Sequence, residues 1–238
     1  MRQDERFSLE EVRAVYDALA PEYDGLFDSP VDAAENEALK HLLRERVFGR
    51  VLDVGCGTGL LLDLLEDIAP NDYLGIDVSP GMLEIASQKH PRHNFILADA
   101  QNLHSLAAGT FDTAVSLFAC LSYTPDPKAV VDECHRLLRF GGRAILMVYG
   151  PRRCERAHGV HKDAQSRPAY RMFSATEVVA LMDGGMFATT VRGFSSMETD
   201  LLDCEKDVWA ASLLDDHHGR LAEDPDAAFF LVAEGEKL

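Results

Sequence analysis

The segment Val51-Leu52-Asp53-Val54-Gly55-Cys56-Gly57-Thr58-Gly59 joins a short apolar run directly to three glycines at alternate positions. Glycines at that spacing permit a tight strand-to-helix turn and let a ligand lie against bare backbone. The third glycine arrives one residue earlier than in the dinucleotide-binding G-x-G-x-x-G pattern, because position 60 is Leu60. Asp53, just ahead of the turn, is ill suited to a neighbouring pyrophosphate and well suited to a ligand bearing an ammonium group. Two more acids follow. Asp77 closes the apolar run 73–76, where a carboxylate can accept hydrogen bonds from both hydroxyls of a ribose. Asp99 closes the run 94–98, where an acid can accept from an adenine amino group. One such acid alone is most simply a helix cap or a surface residue. Three at successive strand ends, with the glycine turn between them, converge on one ligand at the carboxyl edge of a sheet.

These residues need a particular scaffold. Short apolar runs at 51–54, 73–76, 94–98, 111–118 and 143–149 alternate with amphipathic stretches at 59–68, 80–89 and 127–139. That rhythm predicts a parallel sheet covered on both faces, with right-handed crossovers. Ser79-Pro80 and Asp126-Pro127 each place a capping side chain before a proline at the first helical position. Ahead of the core, Ser8 and Glu11 form a capping-box pattern opening a helix with Leu9, Val12, Tyr16 and Leu19 on one stripe, ended by Pro21. A second helix is expected over 31–48. Beyond Tyr149 the sequence predicts a polar loop at 150–171, a helix at 174–182, a strand at 187–194, a helix within 199–221 and a last strand at 229–233.

With these residues in place, the chain resembles the class I S-adenosylmethionine-dependent methyltransferases over about residues 49–150. The likeness includes Leu137-Leu138-Arg139-Phe140-Gly141-Gly142, similar to the family's turn before the fifth strand, although Phe140 stands where proline is usual. The resemblance implies a Rossmann-like, doubly wound, mostly parallel seven-stranded α/β sheet with an antiparallel last strand and an N-terminal helical lid. It implies one domain over 1–238, with a lid at 1–48, a cofactor-binding core at 49–150 and an acceptor side at 151–238. The turn of Gly55, Gly57 and Gly59 would hold the methionine part of S-adenosylmethionine or of its product S-adenosylhomocysteine. Asp77 would bind the ribose, and Asp99 with the backbone of Ala100 the adenine. The segment 16–24 resembles a lid whose Tyr16 and Tyr23 close over the cofactor. Asp53, Cys56, Val78, Met82 and Leu117 complete the expected cofactor contacts.

The cofactor would supply a methyl group already activated as a sulfonium. The protein must then align an acceptor lone pair behind it, and a base is needed only where the acceptor keeps its proton. His158, His161 and Tyr123 are the candidate bases or acceptor contacts, since their loops follow the fifth and fourth strands. Asp215-Asp216 beside His217-His218 reads as a solvated helix end, because adjacent helical residues diverge by about 100° and cannot easily share a metal. No metal is expected. Cys120 reads as a small buried residue, since Ala119 precedes it where DNA cytosine methyltransferases carry proline. Residues 116–119 also lack the Asn/Asp-Pro-Pro-aromatic motif of enzymes that methylate exocyclic amino groups of bases.

With 23 Lys and Arg against 40 Asp and Glu, the 238-residue chain carries a net charge of −17. Phosphate backbones and anionic lipid are disfavoured partners. Five cysteines without metal-ligand spacing, no leader-like apolar stretch and no run near the roughly 20 residues of a membrane span suggest a cytoplasmic protein, monomeric or homodimeric. A small-molecule acceptor is the leading expectation. A protein or RNA acceptor, or a catalytically silent binder of the cofactor, stands behind it; a nicotinamide oxidoreductase fits the glycine spacing worst.

Overall fold

The computed structural model describes residues 8–151, 170–183, 187–195 and 224–238. In chain order the elements are α1 (Leu9–Leu19), α2 (Pro30–Arg44), β1 (Val51–Val54), α3 (Leu60–Leu64), β2 (Tyr73–Asp77), α4 (Pro80–Lys89) and β3 (Asn94–Leu97). There follow β4 (Phe111–Ser116), α5 (Pro127–Leu137), β5 (Leu138–Tyr149), α6 (Ala175–Asp183), β6 (Phe187–Phe194) and β7 (Phe230–Lys237). The seven strands form one sheet in the order β3-β2-β1-β4-β5-β7-β6. The first five are parallel, and β7 inserts antiparallel between β5 and β6. The expected sheet and its reversed last strand are both present.

Strand order reverses direction at β1. The chain leaves β1 outward to β2 and β3, then returns to place β4 on the other side. Beyond the carboxyl ends of β1 and β4 no crossover among the described residues fills the gap, which makes a crevice. The sheet is rigid there because it is covered on both faces. One layer joins Ala38, Leu39 and Leu43 of α2 to Val51, Ile145 and Met147. The other joins Val130, Val131 and Cys134 of α5 to Leu52, Ala114 and Leu146. All four residues of β1 are buried, as a central parallel strand requires.

Several boundaries differ from expectation for physical reasons. The helix expected over 59–68 stops at Leu64, where Asp63, Glu66 and Asp67 put like charge at the negative end of the helix dipole. β4 ends at Ser116, and Phe118 and Ala119 take the left-handed backbone that leads into a short 3₁₀ turn, Cys120–Tyr123. β5 begins five residues early because Leu138 already pairs with Phe111, and the glycine turn becomes an irregularity between Phe111 and Thr113. Pro21 does not end the helical path: a 3₁₀ turn over Ala20–Glu22 carries it on toward Tyr23. α2 buries Ala34, Ala38, Leu39, Leu42 and Leu43 in the core, which leaves 8–28, and not the whole of 1–48, as the part able to cover the crevice.

Candidate functional site

The glycine turn is shaped by its surroundings. Gly55, Gly57 and Gly59 have φ of 71°, 53° and 92°, the left-handed region that glycine alone enters without strain. The N–H groups of Gly55 and Cys56 donate to the carbonyl of Ile76 at 2.8 and 2.9 Å, tying the turn to β2. A Cβ at Gly55 would lie 2.7 Å from the Cys120 side chain, whereas a Cβ at Gly57 would meet nothing within 4 Å. The turn is therefore packed on its inner side and open where Gly57 faces the crevice.

Around this opening a cavity of about 960 Å³, counted to its open mouth, runs beneath α1. Asp77 lies on its floor, accepting from the N–H of Gly57 and of Ser79, each at 2.9 Å. Burial raises the Asp77 carboxyl against the pull of those bonds. Each carboxylate oxygen has about two lone-pair sites, so these backbone donors leave room for a ribose hydroxyl to donate as well. Asp53 is 2% exposed and accepts from the Tyr73 hydroxyl at 2.7 Å. Burial, opposed by that bond and helped by Asp77, pushes its carboxyl up to about 7. A buried acid with so little donation is a natural counter-charge for a cation. Asp99 sits two residues past the end of β3, and not at its last residue; it accepts from the backbone and side chain of Gln101 at 2.9 and 3.0 Å.

The cover is latched. Asp17 of α1 accepts from Ser79 Oγ at 2.6 Å and from the Gly81 N–H at 3.0 Å, at the start of α4. Burial works to raise this carboxyl, and the bonds from Ser79 and Gly81, with Arg13 beside it, outweigh burial and hold it below the usual range. Asp24 accepts from Thr58 Oγ1 at 2.5 Å and from Lys89 at 2.8 Å. Between these ties, Tyr16 and Tyr23 face each other at 6.0 Å, and Tyr16 meets Tyr123 edge-on at 5.8 Å. Burial, aided by neighbouring tyrosines, raises both the Tyr16 and the Tyr23 phenol, so both stay neutral.

A second cavity, about 1450 Å³ to its mouth, shares Tyr16, Tyr23, Thr58, Leu60, Phe118 and Tyr123 with the first. Its far wall carries Tyr149, whose hydroxyl lies 3.1 Å from that of Tyr123, together with Phe230, Phe27 and the α2 residues Asp32, Glu35 and Asn36. The two spaces meet at the tyrosines. A donor in one and an acceptor in the other would be presented to each other there.

The structure thus brings Tyr16, Tyr23, Asp53, Gly55, Cys56, Gly57, Asp77, Val78, Met82, Asp99, Ala100, Leu117 and Tyr123 to one cavity. Gly59 shapes the turn behind it, beneath His90. His158, His161 and 215–218 lie outside the described residues. Cys120 does more than fill space: it lines the cavity, and burial pushes its thiol up to about 12, so it is not poised as a nucleophile. Among the described residues there is no group of acids, histidines and cysteines able to hold a metal, and no helix long and apolar enough to cross a membrane. Asp17, Asp24 and Tyr149 were not singled out from sequence. The first two lie in the lid-like segment, but their partners are more than thirty residues away and leave no local trace.

Residues 52–146 match the methyltransferase domain family model. The chain is 37% identical over 102 residues to a ubiquinone biosynthesis O-methyltransferase of Xanthomonas oryzae pv. oryzae, covering 41% of each chain. The chain thus spans about two fifths of that relative's length. It is 28% identical over 192 residues to a demethylmenaquinone methyltransferase of Thermotoga maritima, covering 79% of each. Among solved structures, a SAM-dependent methyltransferase of Thermotoga maritima, a "possible histamine N-methyltransferase", superposes with a TM-score of 0.70 over 95% of this chain and 99% of that one. At 21% identity the last likeness speaks for the fold alone.

Proposed function

We propose that this chain, which belongs to the class I S-adenosylmethionine-dependent methyltransferase family, transfers a methyl group by in-line displacement to a small-molecule acceptor. The observation that carries the reading is the pair of joined cavities, one fitted to the cofactor and one left over for an acceptor. The cofactor, when bound, supplies an electrophilic methyl group on a sulfonium. Asp77 would hold the ribose hydroxyls, the backbone at Gly57 would face the methionine part, and Asp53 would answer its positive charge. Asp99 and Ala100 would take the adenine, and Tyr16 and Tyr23 would exclude water from above. Tyr123, at the junction, would orient the acceptor.

A catalytically silent binder needs the first cavity and has no use for the second. The second cavity, closed over by α1 and its following turns, also suits a small molecule better than a polypeptide or RNA. The acidic composition and the free thiols of Cys56, Cys120 and Cys134 suit a reducing cytoplasm. The test is transfer of labelled methyl from S-adenosylmethionine by the purified chain into a metabolite extract freed of protein and RNA, with mass spectrometry of the product. A gain of one CH₂ in a metabolite is expected. Label incorporated only when protein or RNA is restored would overturn the small-molecule reading.

A further inference from the structure

We infer that Gln101 is a positioning residue for adenine recognition: its carboxamide fixes the direction in which Asp99 offers a lone pair to the adenine amino group. This rests on the assignment of the adenine to Asp99 and Ala100 proposed above. Asp99 lines the first cavity, whereas Gln101 is not among its described lining residues, so Gln101 acts through Asp99. The loop at 98–110 contains neither helix nor strand, and nothing periodic fixes an acid within it. Gln101 supplies the constraint instead. Its backbone N–H donates to Asp99 Oδ1 at 2.9 Å, closing a local turn, and its Nε2 amide donates to Oδ1 at 3.0 Å and to Oδ2 at 3.2 Å.

The other end of the carboxamide is tied to α5. Gln101 Oε1 accepts from the N–H of Asp126 at 3.0 Å, and Asp126 is the N-cap of α5, its side chain accepting from the Ala129 N–H at 3.1 Å. The two ends of the amide thus face partners of opposite kind. A carboxylate only accepts and a backbone N–H only donates, so one orientation of the carboxamide satisfies both. It forms a strut from the start of α5 to the acid. The backbone of the loop has separate anchors: Glu133 accepts from the Leu103 N–H at 2.8 Å, and Arg136 donates to the carbonyls of Leu103 and Leu106 at 2.8 and 2.9 Å. What the Gln101 side chain adds is therefore the orientation of one carboxylate.

The bonds also select an oxygen. Oδ1 receives two donors and Oδ2 only a share of one, so the larger spare acceptor capacity lies on Oδ2. An amino group that reaches Asp99 finds an acceptor already held in place, and no rotamer freedom of the acid is lost on binding. A purine without a donor at that position gains nothing from the arrangement.

The experiment titrates the full chain calorimetrically with S-adenosylhomocysteine and with its 6-deamino analogue, in which hydrogen replaces the adenine amino group. The ligands differ only in the group that Asp99 would meet, so the ratio of their affinities separates that contact from general damage to the site. The native chain should prefer S-adenosylhomocysteine by about tenfold or more. Gln101→Leu removes the strut at similar bulk, and should lower the ratio by about threefold or more while affinity for the analogue stays within about twofold. Gln101→Glu keeps the shape and the bond from Asp126 but sets like charge against Asp99, and should lower the ratio at least as far. In Asp99→Ala the preference should vanish, and adding Gln101→Leu should change nothing further. Gln101 is only half-buried, so both variants are expected to fold; if the melting temperature of one falls, the other decides. An unchanged ratio, including equal losses for both ligands, overturns the positioning role and leaves Asp99 as the adenine contact. A native chain without preference overturns the adenine assignment and this inference together, and leaves the methyltransferase reading standing. A native chain that binds neither ligand defeats the cofactor reading as well.

Discussion

Asp53 and Asp77 both line the first cavity, and in the proposed reading they would answer different parts of the cofactor. The Asp53 carboxyl, raised by burial to about 7, sits well above the roughly 3.9 of an unfolded chain. The ligand-free fold therefore loses stability at this residue as pH rises from about 4 through about 7, since the folded state holds the proton longer. A cationic ligand reverses the preference and expels that proton. Affinity for S-adenosylmethionine should therefore fall as pH is lowered from 8 to 6, and calorimetry in two buffers of different protonation enthalpy should show proton release. In Asp53→Asn the pH response should flatten; a flat response in the native protein would remove Asp53 from the charge-bearing role. Asp77→Ala would forfeit two hydrogen bonds to ribose, each worth roughly 1.5–3 kcal/mol, and should weaken cofactor binding by about a hundredfold or more with the circular dichroism unchanged. Unaltered affinity in a folded variant would take Asp77 out of the ribose site. Both acids were legible because each follows an apolar run at a fixed distance from the glycines. The packing of Cys120 on Gly55 was not, since a contact across 65 positions leaves no periodic mark.

At the scale of elements, α1 is held by packing and by one acid that reaches α4. Val12 and Ala20 are its buried apolar contacts near the crevice, while Asp17 reaches across to the first turn of α4. Because the Asp17 carboxyl is held below its usual value, its contribution is present above about pH 4 and is lost as pH falls through the lowered value. A change in cofactor affinity between pH 6 and 8 thus does not arise from this latch. Asp17→Ala removes both bonds, at a cost of order 1–3 kcal/mol felt locally. The expected result is a several-fold higher KM for the cofactor and faster amide exchange over Leu9–Leu19, with the melting temperature of the sheet nearly unchanged. Native exchange rates in the variant would show that α1 is held by packing alone. The helix itself was readable from the Ser8 cap, which does accept from the Glu11 N–H. The latch was not, because Asp17 looks like any solvated residue on the outer face of an amphipathic helix.

On the scale of the whole molecule, the division between core and cover is the feature that sequence resolved least well. Alternating runs identified the parallel half of the sheet, since each buried strand is a local signal. The insertion of β7 between β5 and β6 is fixed by pairings such as Leu146 with Ala233 and Val191 with Ala233, which only the folded chain reveals. In the same way the long N-terminal segment splits in two: α2 supplies Leu39 and Leu43 to the core, and the preceding turns bridge the cavities. Leu9, Val12, Tyr16 and Tyr23 touch the site without completing the sheet. Removing residues 1–28 should therefore leave a cooperatively folded domain that keeps α2 and all seven strands. Losing Tyr16 and Tyr23 exposes the reacting centre to water, and losing Asp17 and Asp24 frees Ser79 and Thr58. Turnover should fall by about a hundredfold or more, and S-adenosylhomocysteine should bind more weakly yet still raise the melting temperature. In the full chain, adding that product should slow amide exchange across 8–28. Equal protection with and without it, or a truncated chain that fails to fold, would mean that these turns are structural and that something else covers the acceptor.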